Sequence, residues 1–387
     1  MSFEVVVVGA SVRALAQSVI RAGGRPIPCD LFADGDLRRL AATEVIGREG
    51  YPEDFEPFLR RHAGIPWMYT GGLENAPKLL SRWAEISPLW GNTGEVVQEA
   101  RSPERMVEFL RKEGLATLEV TRDPREIPAD GSWMIKPIHG TGGMGVRPWW
   151  GESAEKKFEP LRQSASVTHY WQRRARGTPH SAIYVGREDG VDLVGVTRQR
   201  IGEAFLHAQP FRYAGSTGPI ALLERQQGML RAIGRCFGER MGLRGVFGVD
   251  FLLTEDGNVF PVEINPRYTA SVEVLEWGLG VAVIELHRQV FSNLGCPSPI
   301  GRTPVPFVDK GILFARQSCR IRRSAPCYRD DGNDFGIQYA DIPEPDSKFA
   351  AGDPILSLLA FGDSLDEVSR KLSQVVEHFY HDSLEPI

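Results

Sequence analysis

Residues 245–267 read GVFGVDFLLTEDGNVFPVEINPR and carry the clearest structural signal in the sequence. Two apolar runs flank an Asp-Gly pair at 256–257, which is a strong local signal for two antiparallel strands joined by a tight turn. Pairing Glu255 with Asn258 across the turn fixes the register, because antiparallel partners then follow residue by residue. The stretch therefore predicts a β-hairpin with a defined set of facing side chains.

In this register Asp250 lies opposite Glu263, and Asn265 shares their face because side chains alternate along a strand. Facing like charges destabilise a strand pair, and burying them costs more still. A cation between the carboxylates removes this penalty, and oxygen ligands favour Mg²⁺ or Mn²⁺ over zinc. Arg267 follows at the strand end, where it could meet an anion bridged by the metal. The alternative is a surface hairpin whose acids face water.

A second motif, WMIKPIHGTGGMGV, occupies residues 133–146. An apolar strand ends at Lys136 and runs into a loop whose glycines let backbone N–H groups approach a ligand closely. The lysine adds a point charge suited to phosphate. The loop differs from a Walker P-loop because Lys136 precedes it, and from a dinucleotide fingerprint because 146–150 predicts a short strand or an exit turn. The alternative is a flexible glycine-rich hairpin.

Together the two motifs resemble the ATP-grasp superfamily, whose members hold Mg-ATP between two α+β subdomains. The resemblance is specific over roughly residues 100 to 300 and implies an α/β and α+β multidomain fold. It implies a Rossmann-like parallel sheet at the N-terminus, an ATP-grasp core of two α+β subdomains and a small C-terminal β-rich domain. The expected ranges are 1–100, then 101–300 with subdomains 130–175 and 176–300, and finally 301–387.

The same resemblance assigns expected roles to individual residues. Lys136 and Arg267 are the expected catalytic residues, Lys136 at the ATP phosphates and Arg267 at the γ-phosphate or an acyl phosphate. Asp250, Glu263 and Asn265 are expected to bind one or two Mg²⁺ ions. The expected nucleotide-binding residues are Lys136, Gly140, Thr141, Gly142, Gly143, Gly145, Gln172 and Ala175.

The hinge between the two expected subdomains departs from the family pattern. Residues 169–181 read HYWQRRARGTPHS, and Arg173 stands where the resemblance implies an acidic residue that binds the ribose. This leaves the ribose contact unassigned, although backbone groups can still read the adenine edge. The neighbouring Arg174 and Arg176 are equally well explained as part of a solvated basic edge.

Composition is that of a globular protein: 387 residues, 42% hydrophobic and 25% charged, with a net charge of −5. This net charge gives no electrostatic reason to expect nucleic-acid binding. No apolar run approaches the ~18 residues needed to span a bilayer, and the first residues lack a signal-peptide pattern. The five cysteines have no Cys-x-x-Cys spacing, which favours reduced thiols and a cytoplasmic location. They are Cys29, Cys236, Cys296, Cys319 and Cys327.

The N-terminal residues show a β-α-β pattern. Residues 5–8 predict a buried strand, a helix runs toward residue 22, and a second strand ends at Asp30. Only Gly9 of a G-x-G-x-x-G fingerprint is present, so we interpret the segment as a structural parallel sheet. Ser11 and Arg13 follow the first strand and are substrate-site candidates, with a capping serine and a surface arginine as the alternative.

The remaining elements are predicted from periodicity and turn residues. Loop 211–219 is predicted as an acceptor-site or lid element, or simply as a helix-entry loop. Arg101 is the nearest match to a phosphate-contacting basic residue of the family. The predicted helices are 103–114, 220–241 and 364–380, and the predicted strands are 182–185, 193–199, 307–315, one near 340–343 and one near 351–360. Arg316, Arg320, Arg322 and Arg323 form a basic cluster that predicts solvated charge or, second, an anionic substrate tail.

The resemblance implies an enzyme that activates a carboxylate as an acyl phosphate and joins it to an amine, releasing ADP and phosphate. Its partners would be small-molecule substrates, with no nucleic acid or membrane, and it could form a homodimer. Within the superfamily the chain looks like ligases of methanofuran and tetrahydromethanopterin cofactor synthesis, including tyramine–glutamate ligases. The alternatives are a bicarbonate-activating carboxylase of the biotin-carboxylase or purine-pathway type, and a non-catalytic nucleotide- or NAD-binding protein.

Overall fold

A computed structural model describes residues 3–152, 168–292, 304–328, 333–334 and 336–387. Four of the five cysteines fall in these ranges, and all four are buried free thiols: Cys29, Cys236, Cys319 and Cys327. Cys296 lies outside the described residues.

The N-terminal residues form a parallel sheet with the strand order β3-β2-β1-β4. Its strands are β1 Glu4–Val8, β2 Arg25–Asp30, β3 Glu44–Val45 and β4 Trp67–Tyr69, and its helices are α1 Arg13–Arg21, α2 Gly35–Leu40, α3 Phe55–Arg61 and α4 Pro77–Ala84. Val5 and Val7 pack in one apolar core while Val6 and Val8 pack in another. A run that is apolar at every position suits a parallel sheet buried on both faces, so the predicted β-α-β pattern is confirmed.

Two helices and a small antiparallel sheet follow. The helices are α5 Gly94–Ala100 and α6 Pro103–Lys112, and the strands are β5 Val120–Thr121, β6 Trp133–Pro137, β7 Arg147–Pro148 and β8 His169–Arg173. Helix α6 begins where predicted because Ser102 accepts a hydrogen bond from the Arg105 N–H at 3.3 Å and Pro103 occupies the first turn. The strand order is β5-β8-β6-β7, with the glycine-rich loop between β6 and β7.

The largest sheet is antiparallel and has nine strands in the order β13-β12-β9-β10-β11-β14-β19-β17-β16. Its strands are β9 Thr178–Gly186, β10 Val191–Ile201, β11 Tyr213–Gly218, β12 Gly245–Leu253, β13 Val259–Asn265, β14 Phe307–Phe314, β16 Asn333–Asp334, β17 Ile337–Ala340 and β19 Pro354–Gly362. The hairpin quoted first therefore forms one edge of this sheet, as strands β12 and β13.

Strand β11 corrects one prediction. Residues 213–218 were expected to be loop, yet they pair with β10 on one side and β14 on the other. A side chain on Gly215 would lie 1.9 Å from the Lys310 carbonyl oxygen, so the small residues of this segment permit close approach of the neighbouring strand. The sequence predicted a loop here because the glycine and serine residues of this segment obscure the pattern typical of a strand.

The C-terminal strands continue the same sheet. Strands β14 and β19 were predicted at nearly these positions, whereas β17 ends at Ala340, where the predicted strand 340–343 begins. All three extend the sheet across the domain boundary expected at residue 300. The division of the chain into domains stays a prediction. The other elements are helices α7 Glu224–Met241, α8 Ala270–Leu279, α9 Val283–Phe291 and α10 Leu365–Ser383, and a small sheet of β15 Cys319–Ile321, β18 Lys348–Phe349 and β20 Leu384–Pro386.

Packing brings the N-terminal sheet against the hairpin end of the large sheet. Leu15 of α1 shares a buried cluster with Val272 of α8 and Val283 of α9. The loop after β4 reaches the residues that follow β13, where a side chain on Gly71 would lie 3.3 Å from the Arg267 guanidinium. The carboxyl edge of the parallel sheet, where α/β sheets bind ligands, therefore borders the hairpin.

Candidate active site

Two carboxylates face each other across strands β12 and β13, as predicted. Asp250 pairs directly with Glu263, and its other neighbour in the sheet is Ser181 on β9. The Asn265 side-chain amide lies beside the pair and donates to the Asp250 carboxylate at 3.1 Å. Asp250 is partly buried, whereas 43% of the Glu263 side chain is exposed. The hairpin thus presents, on one face, three side chains whose oxygen atoms could bind a metal ion.

The register at the turn differs from the prediction. Glu255 and Asn258 do not pair; instead the Thr254 N–H donates to the Asn258 carbonyl oxygen at 3.0 Å, closing a longer turn. Val262 is an extra residue on β13, because Asp250 pairs with Glu263 while the next residue pairs with Pro261. This β-bulge offsets the longer turn, so the predicted register is wrong at the turn and correct at the carboxylates.

The electrostatics of the hairpin favour a further positive charge beside Asp250. Burial, followed by the charge of Glu263, raises the pKa of Asp250 to about 6. An ionised carboxylate is therefore disfavoured here until a positive charge arrives. The two facing acids are the costly arrangement that the sequence predicted.

Lys136 reaches the same place from the small sheet. Its ammonium donates to the Gln172 side-chain oxygen on the neighbouring strand β8 at 2.7 Å. Burial lowers the pKa of Lys136, while the negative charges of Glu263 and Asp250 act in the opposite direction. The end of β6 faces the hairpin across a cleft, which Pro137, Ile138 and Glu263 line.

Arg101, between α5 and α6, connects the two sides of the cleft. Its guanidinium forms an ion pair with Glu263 and donates to the carbonyl oxygens of Ile138 at 2.9 Å and Gly140 at 3.1 Å. The same guanidinium lines a small cleft with Tyr170 and Glu263. The sequence offered Arg101 only as a poor family match, whereas the structure places it at the centre of the site.

The glycine-rich loop folds down over this cleft. Gly142, Gly143 and Gly145 have positive φ angles of 59°, 78° and 76°. The Gly142 carbonyl oxygen accepts from the Tyr213 N–H at 3.0 Å, and Thr141 accepts from the Asn75 side-chain amide at 3.3 Å. The loop is therefore anchored at its middle, and the glycines are needed because this backbone conformation excludes most other residues.

Arg267 is oriented by an acid from the N-terminal sheet. The Arg267 Nε and Nη2 atoms donate to one Glu74 oxygen at 2.9 and 2.6 Å, and Nη2 also donates to Asn265 at 3.2 Å. The second Glu74 oxygen accepts from the Gly72 N–H at 2.6 Å. Burial acts to raise the pKa of Glu74, but the charge and hydrogen bonds of Arg267 outweigh it and hold the pKa below its ordinary value.

Sequence reasoning missed Glu74 and Asn75. Both follow strand β4 in the segment Gly71-Gly72-Leu73-Glu74-Asn75, which lies at the carboxyl edge of the parallel sheet. That position is a signal in itself, since ligand-binding residues gather where such strands end. This signal could be used only if strand β4 had been predicted from the sequence. Strand β4 was not predicted because it is short, with three residues.

At the hinge, Gln172 is buried and Arg173 is exposed. Gln172 is 2% exposed, and its side-chain nitrogen has no hydrogen-bond partner among the described residues. Ala175 lies just beyond β8 and is partly buried. Arg173 is exposed with its guanidinium 5.8 Å from the centre of the Trp133 ring, and Arg174 and Arg176 are exposed as well. The three arginines match the solvated-edge alternative.

The residues present fit a magnesium ion that arrives with a nucleotide. Within the described ranges, no group of three or more His, Cys, Asp or Glu side chains is arranged to hold a metal. Mg²⁺ at nucleotide sites takes one or two carboxylates and completes its shell with phosphate oxygens and water. Asp250, Glu263 and Asn265 supply such a partial shell, and the raised pKa of Asp250 marks the missing charge.

The two substrate-site candidates that follow strand β1, Ser11 and Arg13, differ in their exposure and contacts. Ser11 is exposed, and its carbonyl oxygen accepts from Thr70 at 2.9 Å. Arg13 is neither a surface residue nor free to bind a substrate, because it is 1% exposed and ion-paired with Glu273 and Asp341. The prediction for Arg13 is corrected on that ground.

The C-terminal basic cluster is largely surface charge with local partners. Arg320 pairs with Glu385 and Arg323 with Asp346, in each case with both side chains at least partly exposed. Arg316 donates to the His207 ring. These contacts favour the solvated-charge alternative over an anion site.

Comparison with known proteins agrees with this geometry. Residues 105–271 match the ATP-grasp domain family, a segment that contains the glycine loop and the hairpin but not Arg101. One relative, the formate-dependent phosphoribosylglycinamide formyltransferase of Synechococcus sp. (strain CC9902), is 22% identical over 323 residues, covering 78% of each protein.

Solved structures match over nearly the whole chain. The biotin carboxylase domain of Hydrogenobacter thermophilus 2-oxoglutarate carboxylase, in complex with MgADP, ADP and bicarbonate, has a TM-score of 0.73 at 14% identity, covering 98% of this chain and 90% of that one. The carboxyaminoimidazole ribonucleotide synthase of Aspergillus clavatus, complexed with ATP, has a TM-score of 0.70 at 14% identity, covering 98% and 99%. The fold is the ATP-grasp fold.

The predicted fold class is confirmed, because the chain has a parallel sheet at the N-terminus followed by antiparallel sheets and matches structures with the ATP-grasp fold. Residues Lys136, Gln172, Asp250, Glu263 and Asn265 all lie within the matched segment. Their assignment to nucleotide and metal stays a prediction. In the part of the chain that the structure describes, no helix is both long and apolar enough to cross a membrane.

Proposed function

We propose that this protein is an ATP- and Mg²⁺-dependent ligase that activates a carboxylate as an acyl phosphate and joins it to an amine. The observation that carries the proposal is the pair Asp250 and Glu263, opposed across two strands, with Lys136 acting on both from across the cleft. An isolated pair of opposed acids is destabilising, so its presence beneath a glycine loop favours a metal-nucleotide site.

Each residue has a role in this reaction. Asp250, Glu263 and Asn265 would hold the metal, which when bound neutralises charge on the ATP phosphates. Lys136 and the glycine-loop amides bind the phosphates, and Arg267 stabilises charge on the phosphoryl group in transfer. The substrate carboxylate attacks the γ-phosphorus and ADP leaves; the amine then attacks the acyl carbon, phosphate leaves and the amine loses a proton. No side-chain nucleophile is required.

For the substrates, we propose an amino acid such as glutamate as the carboxylate. This rests on the likeness of the N-terminal turn and of the Glu263–Ser271 run to ligases of methanofuran and tetrahydromethanopterin synthesis, which include tyramine–glutamate ligases. We also propose a homodimer, which is supported by the biotin carboxylase domain with the same fold, crystallised as a dimer.

A second candidate is activation of bicarbonate in place of an organic acid. The structural match to a biotin carboxylase domain crystallised with bicarbonate favours it. The two candidates separate in one assay, because bicarbonate with MgATP alone would release ADP without any organic carboxylate.

The test is an ADP-release screen across carboxylates, bicarbonate and amines, repeated with hydroxylamine to trap acyl phosphate as a hydroxamate. Glu263→Gln should lower the rate by about 10² or more, because it removes a metal-binding charge while keeping the side-chain shape. Glu255→Gln is the matched control, since Glu255 is exposed at the turn of the same hairpin.

Full activity in the folded Glu263→Gln variant would contradict the metal assignment. No ADP release with any carboxylate or bicarbonate, by a wild-type protein that binds MgATP, would contradict the ligase proposal itself.

A further inference from the structure

Gln172 on strand β8 is a buried polar side chain with one of its two polar atoms unpaired. Its side-chain oxygen accepts from the Lys136 ammonium at 2.7 Å. The residue is 2% exposed, and its side-chain nitrogen is buried without a hydrogen-bond partner among the described residues. A buried N–H donor without an acceptor lowers stability. A ligand that supplies an acceptor at this position therefore removes a cost that the protein alone carries.

The contact with Lys136 fixes which end of the amide is the oxygen. An ammonium group has only N–H donors, whereas a glutamine amide has one acceptor oxygen and one donor nitrogen. Exchanging the two amide atoms would place N–H groups against the ammonium and leave both without an acceptor. The unpaired atom is therefore the nitrogen. Because the oxygen keeps a second lone pair, the amide offers one donor and one acceptor side by side.

The register of the small sheet places Gln172 on the face that borders the cleft. Lys136 pairs with Tyr170 across strands β6 and β8. Met134 pairs with Gln172 two positions further along the same strands, so all four side chains share one face. The opposite face carries a packed cluster of Trp133, Ile135, Trp149 and Trp171. Since Tyr170 lines the cleft together with Val262 of the hairpin, the face that holds Gln172 is turned toward the hairpin.

The surroundings of the amide suit a nucleobase better than a phosphate. Gln172 is displaced from Lys136 in the direction away from the glycine loop, because its partner Met134 precedes Lys136 on β6. Its neighbours on this face, Met134 and Tyr170, are 7% and 8% exposed. A phosphate needs charge or several donors, whereas a planar base is buried well by apolar and aromatic side chains and needs few polar partners. The acceptor that Gln172 lacks is therefore best supplied by a base.

The two polar atoms of this amide match adenine and not guanine. Adenine carries the N7 acceptor beside the N6 amino donor, and a glutamine amide can pair with both. Guanine carries two acceptors at the same edge, N7 and O6, so one of them would face the Gln172 oxygen. The amide cannot turn over to relieve this conflict, because Lys136 holds its oxygen. Of the two purines, only adenine complements the amide in this orientation.

We propose that Gln172, held by Lys136, selects adenine by donating from its side-chain nitrogen to N7 and accepting from the N6 amino group. The proposal rests on the ATP-dependent function proposed above and adds the side chain that determines the choice of base. It also gives Lys136 a second role, because the ammonium that binds phosphate orients the amide that reads the base.

The first test removes the N7 acceptor from the ligand and leaves the protein unchanged. Calorimetric titration of the full-length protein with Mg²⁺ compares ATP with 7-deaza-ATP, in which a C–H group replaces N7. We expect 7-deaza-ATP to bind about tenfold more weakly, because the buried nitrogen of Gln172 then stays unpaired. GTP should bind at least about a hundredfold more weakly than ATP, since one acceptor would face another.

The second test removes the amide. Gln172→Met keeps an unbranched side chain of similar length but has no N–H donor and only a weak acceptor. ATP should bind about tenfold more weakly to this variant, with ATP and 7-deaza-ATP within about twofold of each other. Inorganic tripolyphosphate, which has no base, should bind the variant and the wild type alike. Gln227→Met is the matched control, since Gln227 on helix α7 also accepts from a cation, Arg231, at 2.9 Å.

Three results would overturn the proposal. The first is equal binding of ATP and 7-deaza-ATP by the wild type. The second is an unchanged preference for ATP over 7-deaza-ATP in Gln172→Met. The third is tripolyphosphate binding that falls as much as ATP binding in the same variant, because Gln172 would then act only by positioning Lys136.

Failure of this proposal and failure of the ligase function are distinguishable. ADP release in the substrate screen, by a wild type that binds ATP and 7-deaza-ATP equally, would support the ligase and contradict the role of Gln172. The expected discrimination among nucleotides, without ADP release from any carboxylate or bicarbonate, would support the base contact and contradict the ligase.

Discussion

Arg101 forms an ion pair with Glu263, so one of the two opposed carboxylates is already neutralised by a cation of the same chain. Under the proposed function, a metal ion held by Glu263 would compete with this guanidinium for the carboxylate. Arg101 also donates to two carbonyl oxygens at the start of the glycine loop, and its Nε atom has no hydrogen-bond partner among the described residues. A guanidinium released in this way would be placed to meet the phosphates that accompany the metal.

The first prediction concerns this exchange. Arg101→Met keeps an apolar stem of similar length but removes the charge, so kcat/KM for ATP should fall by about 10² or more. Arg105→Met on helix α6 is the control, because the ion pairs of Arg105 with described residues are to the partly exposed acids Glu99 and Glu108. Steady-state ADP release at saturating carboxylate and amine measures both. Equal loss in the two variants would rule out a specific role for Arg101.

The second prediction concerns the pair of Glu74 and Arg267. Glu74 has 1% of its side chain exposed and Arg267 has 12%, so truncating one partner leaves a buried, uncompensated charge. Glu74→Ala should lower the free energy of unfolding by about 3 kcal/mol or more. Urea denaturation followed by circular dichroism measures this loss.

The conservative variant separates stability from catalysis at the same position. Glu74→Gln retains a hydrogen-bond acceptor for Arg267 and removes the charge that holds the guanidinium. We expect it to remain folded at 25 °C with a lower kcat and little change in KM for ATP, because the role proposed for Arg267 is at the transferred phosphoryl group. A rise in KM with unchanged kcat would contradict that role.

How much the sequence predicts depends on how local the responsible interactions are. The opposition of Asp250 and Glu263 follows from strand alternation and a turn signal, and it survives an error in the turn because the bulge at Val262 restores the register. Lys136 and the glycine loop are equally local, since one strand and one loop define them.

Residues whose partners lie in distant segments could not be predicted from the sequence in this way. Arg101 and Glu74 lie 162 and 193 positions from their partners Glu263 and Arg267, so no periodicity or spacing connects them. Arg13 was misplaced for the same reason, because its buried partners Glu273 and Asp341 come from other parts of the fold.

The third prediction tests the closed glycine loop. A side chain on Gly143 would lie 1.9 Å from the Phe211 carbonyl oxygen, so Gly143→Ala cannot keep the loop in this position. We expect ATP-dependent activity to fall at least tenfold while the fold is retained, because phosphate contacts and exclusion of water both require closure.

Gly142→Ala is the matched control for the loop. Gly142 also has a positive φ angle, but a side chain there meets nothing within 4 Å. The change should cost only the backbone penalty of about 1 kcal/mol for a non-glycine residue in this conformation. If both variants lose activity equally, backbone strain explains the loss and the Phe211 contact does not.

The last prediction is a pH dependence set by His287 of helix α9. This ring is buried between the N-terminal and large sheets, where its Nδ1 atom accepts from the Val246 N–H at 2.8 Å and its Nε2 atom donates to the Trp90 carbonyl oxygen at 3.2 Å. These bonds hold the neutral ring, and burial lowers its pKa to about 4.

Because the unfolded chain binds this proton near pH 6.5, the unfolded state gains protons first as the pH falls. The contribution of His287 to stability is therefore complete above pH 6.5 and declines toward pH 4, with a slope approaching about 1.4 kcal/mol per pH unit. Urea unfolding of the wild type and of His287→Gln across this range measures the slope, which should be shallower in the variant; parallel pH profiles would show that His287 does not carry the dependence.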